Sequence, residues 1–304
     1  MAIEKVAIVG RGAVGLLHGT VIAEHLGCDA VEFVMDDERF ARKGADAVMV
    51  NGSPCPIRTI PASVAVPVDL VILAVKGPGL AGALDTMEPL VGPDTKIMSL
   101  LNGVMSEERV AERYGWERTV ISITQGMDAV FIGGELTFSH PGEIRFGAAP
   151  GTEPGVVEDI DGFLDRAGIV HAVEEDIRHR IWTKLMLNVG VNQTCMVYGG
   201  TYGSVCEEDG EQYRSLVAAM REARVVARAE GVEVTEDDLT QMVELLRTLD
   251  PEGMPSMAQD RINRKPTEVE EFSGTIIRLA ERHGVLVPQN RWLYAQIRAI
   301  EAAW

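Results

Sequence analysis

The residues with the most chemical promise lie on one stretch near the middle of the chain, Ile181-Trp182-Thr183-Lys184-Leu185-Met186-Leu187-Asn188-Val189-Gly190-Val191-Asn192-Gln193-Thr194. Composition and apolar period predict a helix, so Lys184, Asn188 and Asn192 fall at i, i+4 and i+8, three polar side chains on one stripe of a hydrophobic rod. Burying an amide without a partner costs roughly 2–7 kcal/mol, and a charge far more, so something polar must face this stripe: another part of the chain, or a ligand. A positioned ammonium could stabilise charge building on an oxygen and donate a proton to it. The plain structural alternative is asparagines bonded to a neighbouring helix and a lysine reaching out to solvent.

A second chemical signal opens the chain. The β-branched run at residues 3–9 leads straight into Gly10-Arg11-Gly12-Ala13-Val14-Gly15, and a helical pattern follows to about Gly27. GxGxxG between a strand and a helix is the pattern of a dinucleotide-binding turn. Gly10 allows the tight turn, Gly12 lets backbone N–H groups approach a pyrophosphate, and Gly15 allows close helix–strand contact. Ala13 and Val14 lie at the positively polarised helix start. A second strand, residues 31–35, ends at Asp36 about twenty residues on, where a carboxylate accepts from ribose hydroxyls and repels a 2′-phosphate. That favours NADH, although Arg39, Arg42 and Lys43 follow closely and could reach a phosphate.

These groups need elements to hold them. Asn51-Gly52-Ser53-Pro54 predicts a hairpin, residues 69–75 a buried strand ending at Lys76, and residues 96–100 another strand running into Leu101-Asn102-Gly103. Lys76 and Asn102 thus sit at carboxyl ends of strands, where open α/β sheets place their ligand crevice. Strands at 119–124 and 135–147, the latter carrying Gly133-Gly134 and Pro141-Gly142 turns, are expected to be antiparallel and to extend the sheet, before a helix at 154–167 and a last strand at 169–173. Beyond Glu174 the pattern is all helical, at 208–230, 235–249, 256–263, 268–283 and 288–303. The expected organisation is therefore a dinucleotide-binding domain at 1–174 and a helical, substrate-binding domain at 175–304.

The 304 residues suffice for two cores. A formal charge of −18 with no basic patch argues against nucleic acid and anionic membrane as partners. Cys28, Cys55, Cys195 and Cys206 form no CxxC pair and the six histidines show no metal spacing, so neither a disulfide framework nor a metal site is expected. The nearest approach to a membrane span, residues 66–75, is interrupted by Asp69, and the chain begins without a signal-peptide pattern. A cytoplasmic location is expected, and the exposed helices of the second domain could support a homodimer.

Together with Pro255-Ser256-Met257-Ala258-Gln259-Asp260 and Arg264-Lys265-Pro266-Thr267-Glu268-Val269-Glu270, the glycine turn, Lys76, Asn102-Gly103 and the Lys184-Asn188-Asn192 helix resemble the ketopantoate reductase family in order, from the first strand to about residue 288. The resemblance implies a Rossmann-type α/β domain, mostly parallel with an antiparallel extension, then an all-α domain, with the active site in the cleft between them. It also implies hydride transfer from NAD(P)H to a 2-oxo acid, foremost 2-dehydropantoate to (R)-pantoate in pantothenate and coenzyme A biosynthesis, with NADPH the family's usual cofactor. By the same resemblance Lys184 is the proton donor and Glu268 the acidic residue that orients the substrate. Ser256 would bond the substrate carboxylate, and Asn188 and Asn192 would hold its polar end. Asn102 would bridge substrate and nicotinamide, and Lys76 would approach the cofactor. Ser256 and Glu268 could equally be capping residues at helix starts.

Several positions depart from the family pattern. Asp36 stands where many members have arginine, Leu101 replaces a common glutamine, Gly253 a frequent asparagine, and Tyr202 and Ser273 asparagines found in some members. Loss of such hydrogen-bonding groups points to another small 2-oxo or 2-hydroxy acid as the alternative substrate. A non-catalytic NAD(P)-sensing regulator is the alternative of a different class, and it has no need of a proton donor.

Overall fold

The computed structural model describes residues 2–304. The chain forms two compact units: one runs to Asn102 and takes in Ser106–Ile177, the other comprises Gly103–Met105 and Arg178–Trp304.

The first unit opens with β1 (Val6–Val9), α1 (Ala13–Leu26), β2 (Val31–Met35) and α2 (Asp37–Lys43). A hairpin of β3 (Met49–Val50) and β4 (Ser53–Pro54) follows, turned by Asn51 at φ 46° and Gly52 at φ 80°, the left-handed pair a two-residue turn requires. Next come β5 (Thr59–Pro61), β6 (Leu70–Leu73), α3 (Leu80–Thr86), β7 (Lys96–Ser99) and α4 (Ser106–Tyr114), the last a helix that the apolar pattern does not announce. The unit closes with β8 (Thr119–Met127), β9 (Val130–Ile132), β10 (Glu135–Thr137), β11 (Pro141–Ala148), α5 (Val156–Arg166) and β12 (His171–Val173).

Eight strands form one sheet in the order β12-β11-β8-β7-β6-β1-β2-β5. All neighbours are parallel except β8 and β11. The central strands are buried on both faces, which is why VAIV and LVIL read as unbroken apolar runs. Alternate residues feed two cores: Ile8, Phe33 and Ile72 pack with Leu16 and Leu17 of α1, whereas Val9, Val34 and Val71 pack with Leu80 and Leu84 of α3. His18 of α1 is buried with neither ring nitrogen paired among the described residues, and burial pushes its pKa down to about 4.

One expectation fails in this unit. Residues 135–147 do not all extend the main sheet: β10 belongs to a separate four-stranded sheet, β4-β3-β10-β9, and only β11 joins the large one. The cause is the turn between them. The Asp128 carboxylate accepts from the backbone N–H groups of Ser139 (2.9 Å) and His140 (2.8 Å), taking the chain out of the ladder. The Ser139 hydroxyl also donates to it and holds its carboxyl below the usual range.

The second unit is built around α6 (Ile177–Tyr198), with α7 (Tyr202–Val205), α8 (Glu211–Ala229), α9 (Glu236–Thr248), α10 (Ser256–Asn263), α11 (Thr275–His283) and α12 (Pro288–Ala302). The segment expected as one helix from 268 begins instead with a π turn, Glu270–Gly274, closed by Gly274 N–H donating to Val269 O at 2.9 Å. Within it, Ser273 N–H donates to Gln193 Oε1 on α6 (3.3 Å). Ser273 is fully buried and its hydroxyl donates to Asn290 Oδ1 at 3.0 Å, so this departure from the family pattern is a core hydrogen-bonding residue. No described helix is long and apolar enough to cross a membrane.

Candidate active site

In the first unit, the predicted cofactor residues gather along one edge of the sheet. Asp36 follows β2, the Gly10–Gly15 turn follows β1, Lys76 follows β6 and Asn102 follows β7, and these four strands are consecutive parallel neighbours. The chain leaves β1 for β2 on one side and continues to β6 on the other, which makes the end of β1 the topological switch point. β6 itself ends at Leu73, so Lys76 is carried by the following turn, where it is exposed.

The glycines of the turn differ in what they avoid. A Cβ on Gly10, at φ +123°, would lie 2.3 Å from Ala74 O, and one on Gly15 would lie 1.9 Å from Gly10 O, so packing within the fold demands both. A Cβ on Gly12 would meet nothing within 4 Å. Gly12 is also the N-cap of α1, with no side-chain capping bond and no acidic residue in the first turn. The N–H groups of Ala13, Val14 and Gly15 therefore open onto an uncrowded, positively polarised helix end that fits a pyrophosphate.

Asp36 is the N-cap of α2, its Oδ1 accepting from Arg39 N–H at 2.8 Å, which fixes a carboxylate at the end of β2. Arg11 is turned to the far end of α2: its guanidinium donates to Lys43 O (2.6 Å) and Thr59 Oγ1 (3.0 Å).

In the second unit, Lys184, Asn188 and Asn192 lie within α6, the first two half-buried and the third buried, so the predicted stripe exists. Asn192 Oδ1 accepts from Ser256 Oγ (3.0 Å) and from Met257 N–H (3.2 Å), and Asn192 Nδ2 donates to Asn188 Oδ1 at 3.3 Å. Ser256 does not cap its own helix. The N-cap of α10 is Pro255, which has no capping side chain, and Asn192 supplies the acceptor from α6. At the other end of α10, Arg261 donates to Val197 O at 2.8 Å and to Met196 O, satisfying carbonyls of the last turn of α6. For Asn192 the structure realises the plain alternative, an asparagine bonded to a neighbouring helix; Arg261, a basic residue five positions after Ser256, was not among the expected site residues.

Glu268 is buried just before the π turn, and its carbonyl accepts from Glu271 N–H and Phe272 N–H, both at 3.1 Å. Glu270 accepts from the Tyr294 hydroxyl. Glu271, beside it, was not among the expected site residues. Burial, followed by the charges of Glu268 and Glu270, raises its carboxyl above the usual range, and its Oε2 has no hydrogen-bond partner among the described residues. The signal for it was the run of acidic residues directly after Thr267. Tyr202 and Gly253, two further departures, touch each other: Tyr202 N–H donates to Gly253 O at 3.0 Å, and a Cβ on Gly253 would lie 3.0 Å from the tyrosine ring.

The family described as Ketopantoate reductase PanE/ApbA matches residues 6–151, and its C-terminal counterpart matches residues 176–301. The 2-dehydropantoate 2-reductase of Mycobacterium tuberculosis is 30% identical over 300 residues, covering 93% of each chain. That of Pyrococcus horikoshii is 27% identical over 304 residues, covering 98% of each. In fold, the chain is similar to D-mandelate dehydrogenase solved with NADH and anilino(oxo)acetate: TM-score 0.86, 23% identical, covering 98% of this chain and 99% of that one. It is also similar to a PanE/ApbA family ketopantoate reductase from Ralstonia eutropha: TM-score 0.82, 24% identical, with the same coverage. With matched segments spanning both units, the chain belongs to the ketopantoate reductase family of nicotinamide-dependent oxidoreductases.

Proposed function

We propose that this enzyme reduces 2-dehydropantoate to (R)-pantoate, a step of pantothenate and coenzyme A biosynthesis. The observation that carries the reading is the relay Ser256 to Asn192 to Asn188 on the helix face that bears Lys184. Because Asn188 Oδ1 accepts from Asn192, the NH₂ of Asn188 points the other way, as a donor for a substrate oxygen. Lys184 lies one turn away on the same face. Its ammonium stabilises the charge that builds on the carbonyl oxygen and then donates the proton that completes the alcohol. On substrate binding the Ser256 hydroxyl turns from Asn192 Oδ1, which keeps the Met257 N–H, and donates to the substrate carboxylate, while Glu268 orients the substrate.

The Gly10–Gly15 turn holds the dinucleotide by its pyrophosphate, Asp36 accepts from the adenine ribose, Lys76 approaches the cofactor, and Asn102 bridges substrate and nicotinamide. The bound nicotinamide supplies the hydride. Asp36 at the end of β2 favours NADH over NADPH, in line with the D-mandelate dehydrogenase of similar fold that was solved with NADH.

A second reading has its own observation. The Tyr202 ring stands where a side chain on residue 253 would go, so at the two positions where the family resemblance implies asparagines the chain presents one aromatic ring. That suits a 2-oxo acid with a larger apolar or aromatic tail. The test is oxidation of NADH and of NADPH by the purified protein with 2-dehydropantoate beside a panel of branched and aromatic 2-oxo acids. The highest kcat/KM with 2-dehydropantoate supports the first reading. A preference of tenfold or more for an aromatic acid, about 1.4 kcal/mol in transition-state binding, establishes the second.

A further inference from the structure

The loop that carries Asn102 spans residues 100–105, between the end of β7 and the start of α4. Hydroxyl groups join its two feet: Ser99 Oγ donates to Ser106 Oγ at 2.9 Å, and Ser106 Oγ donates to Glu107 Oε2 at 2.7 Å. The other carboxylate oxygen, Glu107 Oε1, accepts from Ser122 N–H of β8 at 3.3 Å, and Ser122 Oγ donates back to Ser99 O at 2.5 Å. The four residues close a ring beneath the loop. None of them is more than 4% exposed.

The ring has a direction. Ser99 donates to Ser106 and Ser106 donates to Glu107, so the carboxylate is the terminal acceptor, and it also takes an N–H from the neighbouring strand. A buried carboxyl is a costly way to hold a turn, and a pair of apolar side chains would fill the space more cheaply. What it gains is orientation, because each hydroxyl has one direction in which to donate.

We propose that Glu107 is a positioning residue, which through Ser106 and Ser99 holds together the two feet of the 100–105 loop and so fixes Asn102 at the carboxyl end of β7. The proposal rests on the reading of Asn102 as the group that bridges substrate and nicotinamide. Burial pushes the Glu107 carboxyl up to about 7, against the opposing pull of the Ser106 hydroxyl, so the ring changes its proton count near neutrality. Glu108 adds a like charge from the same helix. Of the two strands packed against α4, β7 carries Lys96, which is paired with Asp159 of α5 at 3.1 Å, and β8 carries no ionisable side chain.

The test compares Asn102→Ala, Glu107→Gln and the double variant in the full-length enzyme, using the 2-oxo acid that it turns over best. Glu107→Gln is expected to lower kcat/KM by about 10–100-fold, the scale of a small misplacement of a reacting group. The double variant should be no worse than Asn102→Ala alone, and the wild-type ionisation near neutral pH in kcat/KM should disappear in Glu107→Gln. The dissociation constant for the dinucleotide, read by fluorescence without turnover, should move by the same factor in both single variants. Multiplying effects in the double variant, or a Glu107→Gln enzyme with wild-type kcat/KM and pH profile, would overturn the positioning role while leaving Asn102 in place. If Asn102→Ala itself keeps wild-type kcat/KM, the reading of Asn102 fails and takes the proposal with it. Should Glu107→Gln not fold, Ser106→Ala breaks the same link with less disturbance and is held to the same outcomes.

Discussion

Asn192 of α6 and Ser256 of α10 form a latch: one amide oxygen accepts both the Ser256 hydroxyl and the adjacent Met257 N–H, tying the start of α10 to the helix that carries Lys184. The same amide donates to Asn188, so a structural bond and the orientation of the group proposed to hold the substrate depend on a single side chain. Asn192 is buried, which makes the partners obligatory.

Asn192→Ala should therefore cost both stability and substrate affinity. Loss of a buried acceptor that serves two donors is worth about 1–3 kcal/mol in unfolding free energy. KM for the 2-oxo acid should rise as Asn188 loses its orientation. Denaturant unfolding together with steady-state kinetics checks this; an unchanged unfolding midpoint with raised KM would mean the latch contributes nothing to the fold.

Asp36→Arg should shift cofactor preference towards NADPH, since it removes the proposed ribose acceptor and adds a partner for the 2′-phosphate. Because Asp36 also caps α2, about 1 kcal/mol of stability should be lost. The ratio of kcat/KM for NADPH to that for NADH is the measurement. A ratio equal to that of the wild type would place Asp36 away from the ribose.

Much of this was legible in the sequence, for identifiable physical reasons. The apolar strands ending at Met35, Leu73 and Ser99 and the glycine turn after Val9 are set by local pattern, and so is the edge of the sheet they define. Lys184, Asn188 and Asn192 could be placed on one stripe because helix periodicity is local too. What could not be read depends on contacts between distant residues. β10 leaves the main sheet because Asp128 seizes the N–H groups of Ser139 and His140. The π turn forms where Ser273 reaches Gln193 eighty residues away. That the stripe's asparagines could bond a neighbouring helix was legible, but not that the helix is α10, since nothing near Ser256 announces that its acceptor lies on α6.

Glu107 should make the wild type lose stability as pH rises. Its folded pKa, about 7, lies above the ordinary 4.5, so the native state keeps a proton that the unfolded chain has already released. The contribution is fully present below about pH 4.5 and is lost as pH rises through about 7, with an upper size of about 3 kcal/mol. Glu107→Gln has no such dependence. The melting temperature of the variant relative to the wild type should thus increase from pH 5 to pH 8, whereas a constant difference would contradict the buried ionisation.

His18 acts in the opposite sense. Its folded pKa of about 4 lies below the ordinary 6.5, so the stability it contributes is present above about 6.5 and is lost as pH falls through about 4. His18→Leu, which keeps an apolar core side chain in α1 and removes two unpaired ring nitrogens, should flatten the acid limb of the melting curve. An equally steep acid limb in the variant would assign that loss to other groups.

The central claim, that Lys184 is the proton donor in the reduction of a 2-oxo acid, is tested most directly by measuring kcat and the dinucleotide dissociation constant of Lys184→Ala beside the wild type. The expected result is a fall in kcat of about 10²–10⁴-fold with cofactor binding retained, as loss of a general acid produces. A kcat within a few-fold of the wild type would contradict the assignment and leave the proton to come from another group.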